Sequence, residues 1–243
     1  MNKKQDYLLG DSDPELQRLG VQHRVWAEQT HGAWRRGIRS GARVLDVGCG
    51  PGFTSLELAE YVGPDGQIVA LDQSRRFLDF LEAQCRVRGV NNVQCLQGRL
   101  EEAELKDGFD AIYARWVFCF LREPAGVVKR LATLLSPGGR LITLDYFNYR
   151  AFCVAPRIPE MEVIVDAIQT SWHDAGGSLE VQGEMGQWMT DAGLELCEVR
   201  QVGGIVTPGS PLWEWPRSFL RAYLPQLVER GYLDGTLVDR FWS

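Results

Sequence analysis

Apolar residues arrive in two rhythms along the chain. Short runs of β-branched and aliphatic residues read as strands: RVLDV at 43–47, QIVAL at 67–71, VQCLQ at 93–97, FDAIY at 109–113 and RLITLDY at 140–146. Between them the spacing turns helical. Over 54–61, Leu56 and Ala59 share one side while Glu57 and Glu60 lie nearer the other. Over 74–88, Phe77, Leu78, Leu81 and Cys85 fall on one face. A third helix, 124–135, is stopped by Ser136-Pro137-Gly138-Gly139. Strands separated by helices of this length predict βαβ units, and right-handed crossovers make them a doubly wound, mostly parallel sheet. Ligands of such sheets bind at the carboxyl ends of the strands, near the point where the strand order reverses.

The flanks keep a different rhythm. Residues 13–34 read as one or two helices, and 147–190 interrupts the alternation after the fifth strand. Residues 194–206 look like a further strand, and 211–242 like two helices rich in Trp and Leu. Composition adds little to this picture. Of 243 residues, 45% are hydrophobic and 24% charged, as in soluble globular chains, and that length suits one domain. A net charge of −6 weighs against nonspecific nucleic-acid binding. The first residues lack a signal-peptide stretch, and the longest apolar runs, such as WVFCFL, are too short to span a bilayer. A cytoplasmic protein with no membrane or nucleic-acid partner is expected. The six cysteines stand singly, with no CxxC pair, so buried free thiols are expected and no metal site.

The chemistry concentrates after the first strand. In VLDVGCGPGF, Gly48, Gly50 and Gly52 alternate. Dinucleotide sites use G-x-G-x-x-G, with a pyrophosphate against a helix N-terminus. Here the spacing is G-x-G-x-G, and Pro51 and Phe53 crowd that place. Asp46 would oppose a phosphate and suits a cationic group. Asp72 ends the second strand, where a carboxylate accepts from both ribose hydroxyls, each bond contributing roughly 1.5–3 kcal/mol before desolvation. The loop alone leaves a dinucleotide or a bare turn open. With Asp72, the pattern asks for a nucleoside with a positively charged tail and no phosphates, which describes S-adenosylmethionine.

Residues 41–146 resemble a class I S-adenosylmethionine-dependent methyltransferase of the bacterial small-molecule type. The motifs carrying the resemblance are VLDVGCGPG, IVALD with Gln73-Ser74, the Gly98-Arg99-Leu100 step, FDAIYARWVFCFL and LLSPGGRLI. The resemblance implies that Gly48, Cys49 and Gly50 line the methionine end of the cofactor, with Asp46 orienting its amino group. It implies that Asp72 holds the ribose with Gln73 beside it, and that Ala114 and Arg115 touch the methionine moiety, largely through backbone. Where the family has an acid after the glycine of strand three, this chain has Arg99. Arginine only donates, so adenine reading falls to backbone groups of Arg99 and Leu100, or to Glu101 or Glu102. The first residues resemble the N-terminal lid of such enzymes, with Tyr7, Arg18 and Gln22 facing the cofactor.

The resemblance also directs attention to the segment after strand five, where His173 is the candidate general base. After strand four the chain has neither the Asn/Asp-Pro-Pro-aromatic step of nucleic-acid amino-methylating enzymes nor the paired glutamates of protein-arginine enzymes. A small organic acceptor, methylated in line without a metal, is the expected activity. The alternative is an S-adenosylmethionine-binding protein without transferase activity, a regulator or partner subunit. Oligomeric state is left open, a homodimer being one option. The expected organisation is a helical lid at 1–40, a cofactor-binding core at 41–146, and the rest of the sheet with a substrate cap and helical end at 147–243, all in one structural domain. Class I sheets end in an antiparallel strand that the sequence does not show, so a missing or unusual seventh strand is expected, with truncation of the chain as one cause.

Overall fold

The structure is a computed structural model that describes residues 8–243. Two helices precede the sheet: α1 (Asp13–Val25) and α2 (Ala27–Gly37). Ser12 starts α1 by accepting the Glu15 N–H, with Pro14 in the first turn, where its missing N–H costs nothing. The alternating part follows as β1 (Arg43–Val47), α3 (Phe53–Val62), β2 (Gln67–Asp72), α4 (Arg75–Arg88), β3 (Val93–Gln97) and β4 (Phe109–Arg115). It continues with α5 (Pro124–Leu134) and β5 (Leu135–Leu144). Ser74 caps α4 through the Phe77 N–H, and Gly89 ends it in a left-handed turn.

The strands lie in the order β3-β2-β1-β4-β5, all parallel. The chain builds outward from β1 to β3, then returns to β4 on the other side of β1. The reversal therefore falls between β1 and β4, where Val47 lies beside Ala114. Side chains alternate between two buried faces. Val44 pairs in the core with Ile68, Ala111 and Tyr113 against Trp34 of α2 and Leu58 of α3. Leu45, Val47, Leu71 and Ile112 pack against α5 and the helices that follow. This is the doubly wound α/β fold read from the sequence.

Two readings of the sequence change. The last strand begins at Leu135, not at residue 140, because Leu135 pairs with Phe109 at once and residues 136–139 bulge out before Arg140 meets Ala111. The Ser-Pro-Gly-Gly cluster thus interrupts a strand rather than preceding it. Residues 194–206, expected as a strand, form no regular element. Gly203 and Gly204 take positive φ there, Glu198 is tied to Arg36 and Arg200, and Leu196, Val199 and Ile205 stay exposed. Consistent with the expected missing strand, β5 is an edge of the sheet among the described residues.

After β5 come α6 (Pro159–Asp174), α7 (Val181–Asp191), α8 (Glu214–Glu229) and α9 (Gly235–Trp242). Ile164, Ile168 and Trp172 of α6 join Leu220, Tyr223 and Leu224 of α8 in the larger core. This brings the start of α8 over the carboxyl ends of β4 and β5, opposite α1.

Candidate functional site

A cleft opens over the carboxyl ends of β1, β2 and β4, at the reversal of strand order. Its polar end is built from the glycine loop, the end of β2 and the loop after β3. Gly50 has φ +54°, and a side chain there would meet open cleft, with only Leu19 at 3.9 Å. Gly52 is different: a Cβ at that position would overlap the Leu81 side chain of α4. One glycine keeps the cleft free; the other lets two helices close together.

Asp72 lies at the centre of this end. Its two oxygens accept from Gly50 N–H and Ser74 N–H, each at 2.8 Å. Burial pushes its pKa up, and those N–H groups pull against it. A carboxylate has about four acceptor sites, so capacity is left for a neighbouring hydroxyl. Asp46 is buried beneath the loop and accepts from Ser55 Oγ at 2.6 Å. Desolvation raises its pKa to about 7 against the pull of Ser55 and Arg115.

Most residues expected at the site come together here. Arg18, Gln22, Asp46, Gly48, Cys49 and Gly50 line the cleft, as do Asp72, Gln73, Gly98, Arg99, Leu100 and Arg115. The side chain of Arg115 is held by two neighbouring helices. Its guanidinium donates to Thr30 Oγ1 at 3.0 Å and to His23 Nδ1 at 3.3 Å. Glu101 also lines the cleft, paired with Arg99 at 3.4 Å, whereas Glu102 does not. Ala114 lies outside the cleft lining: it is buried in the larger core, turned to the α5 side of the sheet by strand alternation. His173 is not brought to the cleft either. It is exposed in the last turn of α6, and its neighbour Trp172 is the residue that faces inward. Tyr7 lies outside the described residues.

The other end of the cleft is apolar. Trp116 follows β4 in a left-handed backbone, φ 51°, a strained setting for a tryptophan. Its ring stacks on Trp215 of α8 at 5.5 Å, and Trp215 stacks on Tyr146 after β5 at 6.3 Å. Trp26 meets Trp116 and Trp215 edge-on. Phe120, Trp172 and Phe219 complete the wall. Tyr146 is the one phenol here among the described residues, and burial pushes its pKa well above the ordinary value, so it stays protonated. Gln22 joins the two roofing helices, its Oε1 accepting from Arg18 of α1 and from Trp215 Nε1, both at 3.0 Å. Sequence reasoning marked the Trp-rich end at 211–242 but did not single out Trp116, Trp215 or Phe219. The run of tryptophans was the signal; its partners lie too far away in sequence to be paired by spacing.

The geometry thus defines a polar end lined by carboxylates and an apolar chamber lined by rings. The family described as methyltransferase domain matches residues 38–190, more than half of the chain. A demethylmenaquinone methyltransferase of Bacillus cytotoxicus is 25% identical over 206 residues, covering 75% of this chain and 85% of that one. A ubiquinone/menaquinone biosynthesis C-methyltransferase of Erwinia tasmaniensis is 29% identical over 209 residues, covering 79% and 81%. A demethylmenaquinone methyltransferase of Lactococcus lactis is 30% identical, but the match spans only 49% of its length. Among solved structures, a SAM-dependent methyltransferase from Aquifex aeolicus superposes with a TM-score of 0.60, at 23% identity over 79% of this chain and 94% of that one. The chain belongs to the methyltransferase domain family. It is an enzyme with the class I fold, and S-adenosylmethionine is its methyl donor. Family membership does not favour the alternative of a binder that transfers nothing.

The residues present fit that donor. Asp72, a carboxylate at the end of β2 that lines the cleft, is the kind of group that would accept from ribose hydroxyls. Asp46 and Arg115 place one negative and one positive group together beside the loop, the complement of an α-amino acid end.

Proposed function

We propose that this methyltransferase acts on a small, flat, apolar acceptor of the phenol or quinol type, held in the chamber of Trp116, Trp215 and Tyr146. The stacked rings carry this reading: Trp116, Trp215 and Tyr146 pack into one aromatic wall of the cleft, against which a planar ring can lie. The names of the Bacillus and Erwinia relatives, which act in menaquinone and ubiquinone chemistry, support it. S-adenosylmethionine supplies a methyl group already activated on a sulfonium, so the protein's work is positioning and exclusion of water.

This chain's residues divide that work. Asp72, with Gln73 beside it, holds the ribose; Gly98, Arg99 and Leu100 frame the adenine. Gly48, Cys49 and Gly50 bring backbone against the methionine end, and Asp46 orients the amino group. Arg18 and Gln22 close the roof, α1 and α2 serving as the lid. Tyr146, kept protonated by burial, donates a hydrogen bond from Oη to an acceptor oxygen and orients the ring. The chamber wall is otherwise rings and aliphatic side chains, which keep water from the reacting face. The division into lid, cofactor core and cap at residues 40 and 146 belongs to this proposal, as does a cytoplasmic location. Among the described residues no helix is long and apolar enough to cross a membrane.

The test is release of S-adenosylhomocysteine with a panel of acceptors. Turnover is expected with phenols and reduced quinones bearing short side chains. Turnover confined to aliphatic amines or carboxylates would overturn the assignment.

A further inference from the structure

Three arginines line the cleft, and their partners set them apart. Arg18 is bound at two nitrogens by the Glu15 carboxylate, at 2.7 and 2.6 Å. Arg99 faces Glu101 at 3.4 Å. Arg115 is held by the hydroxyl of Thr30 and the ring of His23, and no carboxylate is paired with it in an ion pair among the described residues. Arg18 and Arg99 are therefore each bound by a neighbouring carboxylate, whereas Arg115, which also lines the cleft, acts on Asp46 only through its charge, without an ion pair to it.

The orientation of Arg115 is fixed by a chain of side chains. A guanidinium only donates, so His23 Nδ1 accepts from it. The proton of that ring is then on Nε2, which donates to Glu57 Oε1 at 3.0 Å. The other Glu57 oxygen meets His31 Nε2 at 2.8 Å. Burial alone would raise the pKa of Glu57, but its bonds to the two histidines outweigh this and hold it at about 2, so it is a permanent acceptor. His23 is buried and its ring lies on Phe53 at 5.6 Å. Thr30 is buried too. Two corners of the Arg115 fork are thus pinned by α1 and α2, and a guanidinium has five N–H groups, leaving donors to spare.

We propose that Arg115 reads the α-carboxylate of bound S-adenosylmethionine, and that His23, anchored by Glu57, is its positioning residue. The proposal rests on the donor reading above and deepens it. Asp46 and Arg115 together then recognise both charges of the amino-acid end. The helices α1 and α2 become part of the donor site through His23 and Thr30, in addition to covering it.

The test measures equilibrium binding by calorimetry of three ligands to the full chain. S-adenosylhomocysteine has the whole amino-acid end, decarboxylated S-adenosylmethionine keeps the amino group alone, and methylthioadenosine has neither. Arg115→Gln should weaken S-adenosylhomocysteine about tenfold or more, the scale of a lost charge-assisted bond, and leave the other two within about twofold. His23→Ala should show the same pattern at about fivefold, and His23→Asn, whose amide oxygen stands where Nδ1 stood, should restore most of it. Melting temperatures check that each variant is folded. Equal loss for all three ligands, or no loss for S-adenosylhomocysteine, would overturn the proposal. Failure of the unaltered protein to bind methylthioadenosine would instead overturn the nucleoside site on which it rests.

Discussion

The two ends of the cleft are built by opposite methods. The polar end draws most of its lining from one stretch of chain: the loop after β1, the end of β2 and the turn after β3 lie within 43–101, joined by Arg18, Gln22 and Arg115, and backbone N–H groups of Gly50 and Ser74 hold Asp72 in place. The acceptor end draws Trp116, Tyr146, Trp172 and Trp215 from four separate elements, and side-chain rings supply nearly all of it. A donor shared by many enzymes can be held by backbone geometry that tolerates drift elsewhere. An acceptor peculiar to one enzyme is met by side chains, which change one substitution at a time.

Four measurements break or sharpen this division. The largest effect belongs to Gly50→Val. A branched side chain at φ +54° enters the open cleft, and S-adenosylhomocysteine binding should fall beyond detection, at least about a hundredfold. A variant that is folded and still binds would show that the donor lies elsewhere. Asp72→Ala removes the acceptor of both Gly50 N–H and Ser74 N–H as well as the ribose bonds. Affinity should drop at least about tenfold while the acceptor KM stays within twofold. Joint loss of both would mean the ends are not separable.

The third measurement uses pH. Burial raises Asp46 to about 7, so in the unliganded protein it gains a proton as pH falls through that value. An acid whose pKa rises on folding withdraws stability as pH climbs from about 4 to about 7, and a cation beside it returns that stability. S-adenosylhomocysteine affinity should therefore fall up to about tenfold between pH 8 and pH 6, with proton release visible as a buffer-dependent calorimetric heat. A flat profile would remove Asp46 as the amino-group partner. The smallest effect is expected from Trp215→Ala, which should raise the acceptor KM about fivefold with donor affinity nearly unchanged. The reverse split would place the ring of Trp215 over the donor.

The same division explains what could be read from the sequence. The strands β1 to β4 and the helices between them were legible because apolar period, caps and glycine turns all agree over short distances. The gathering of Asp46, Gly50 and Asp72 at one cleft was legible for the same reason: they sit at fixed offsets from strand ends. Reading failed where the outcome depends on a distant partner. Residues 194–206 have strand composition, but nothing pairs with them. His173 was chosen for its place after strand five, yet the turn of α6 sends it to solvent and Trp172 inward. The bond between Gln22 and Trp215 crosses 193 positions, and no spacing rule reaches that far. His23, His31 and Glu57 escaped notice because their meeting needs three helices to be placed first.

That bond between Gln22 and Trp215 bears on the order in which the enzyme is made. During synthesis the glycine loop, β2 and the turn after β3 leave the ribosome well before α8. Trp215 follows only near the end, so the residues of the polar end are all made before the aromatic chamber can be roofed. The last part of the chain to be made is thus the part that closes the room for the acceptor.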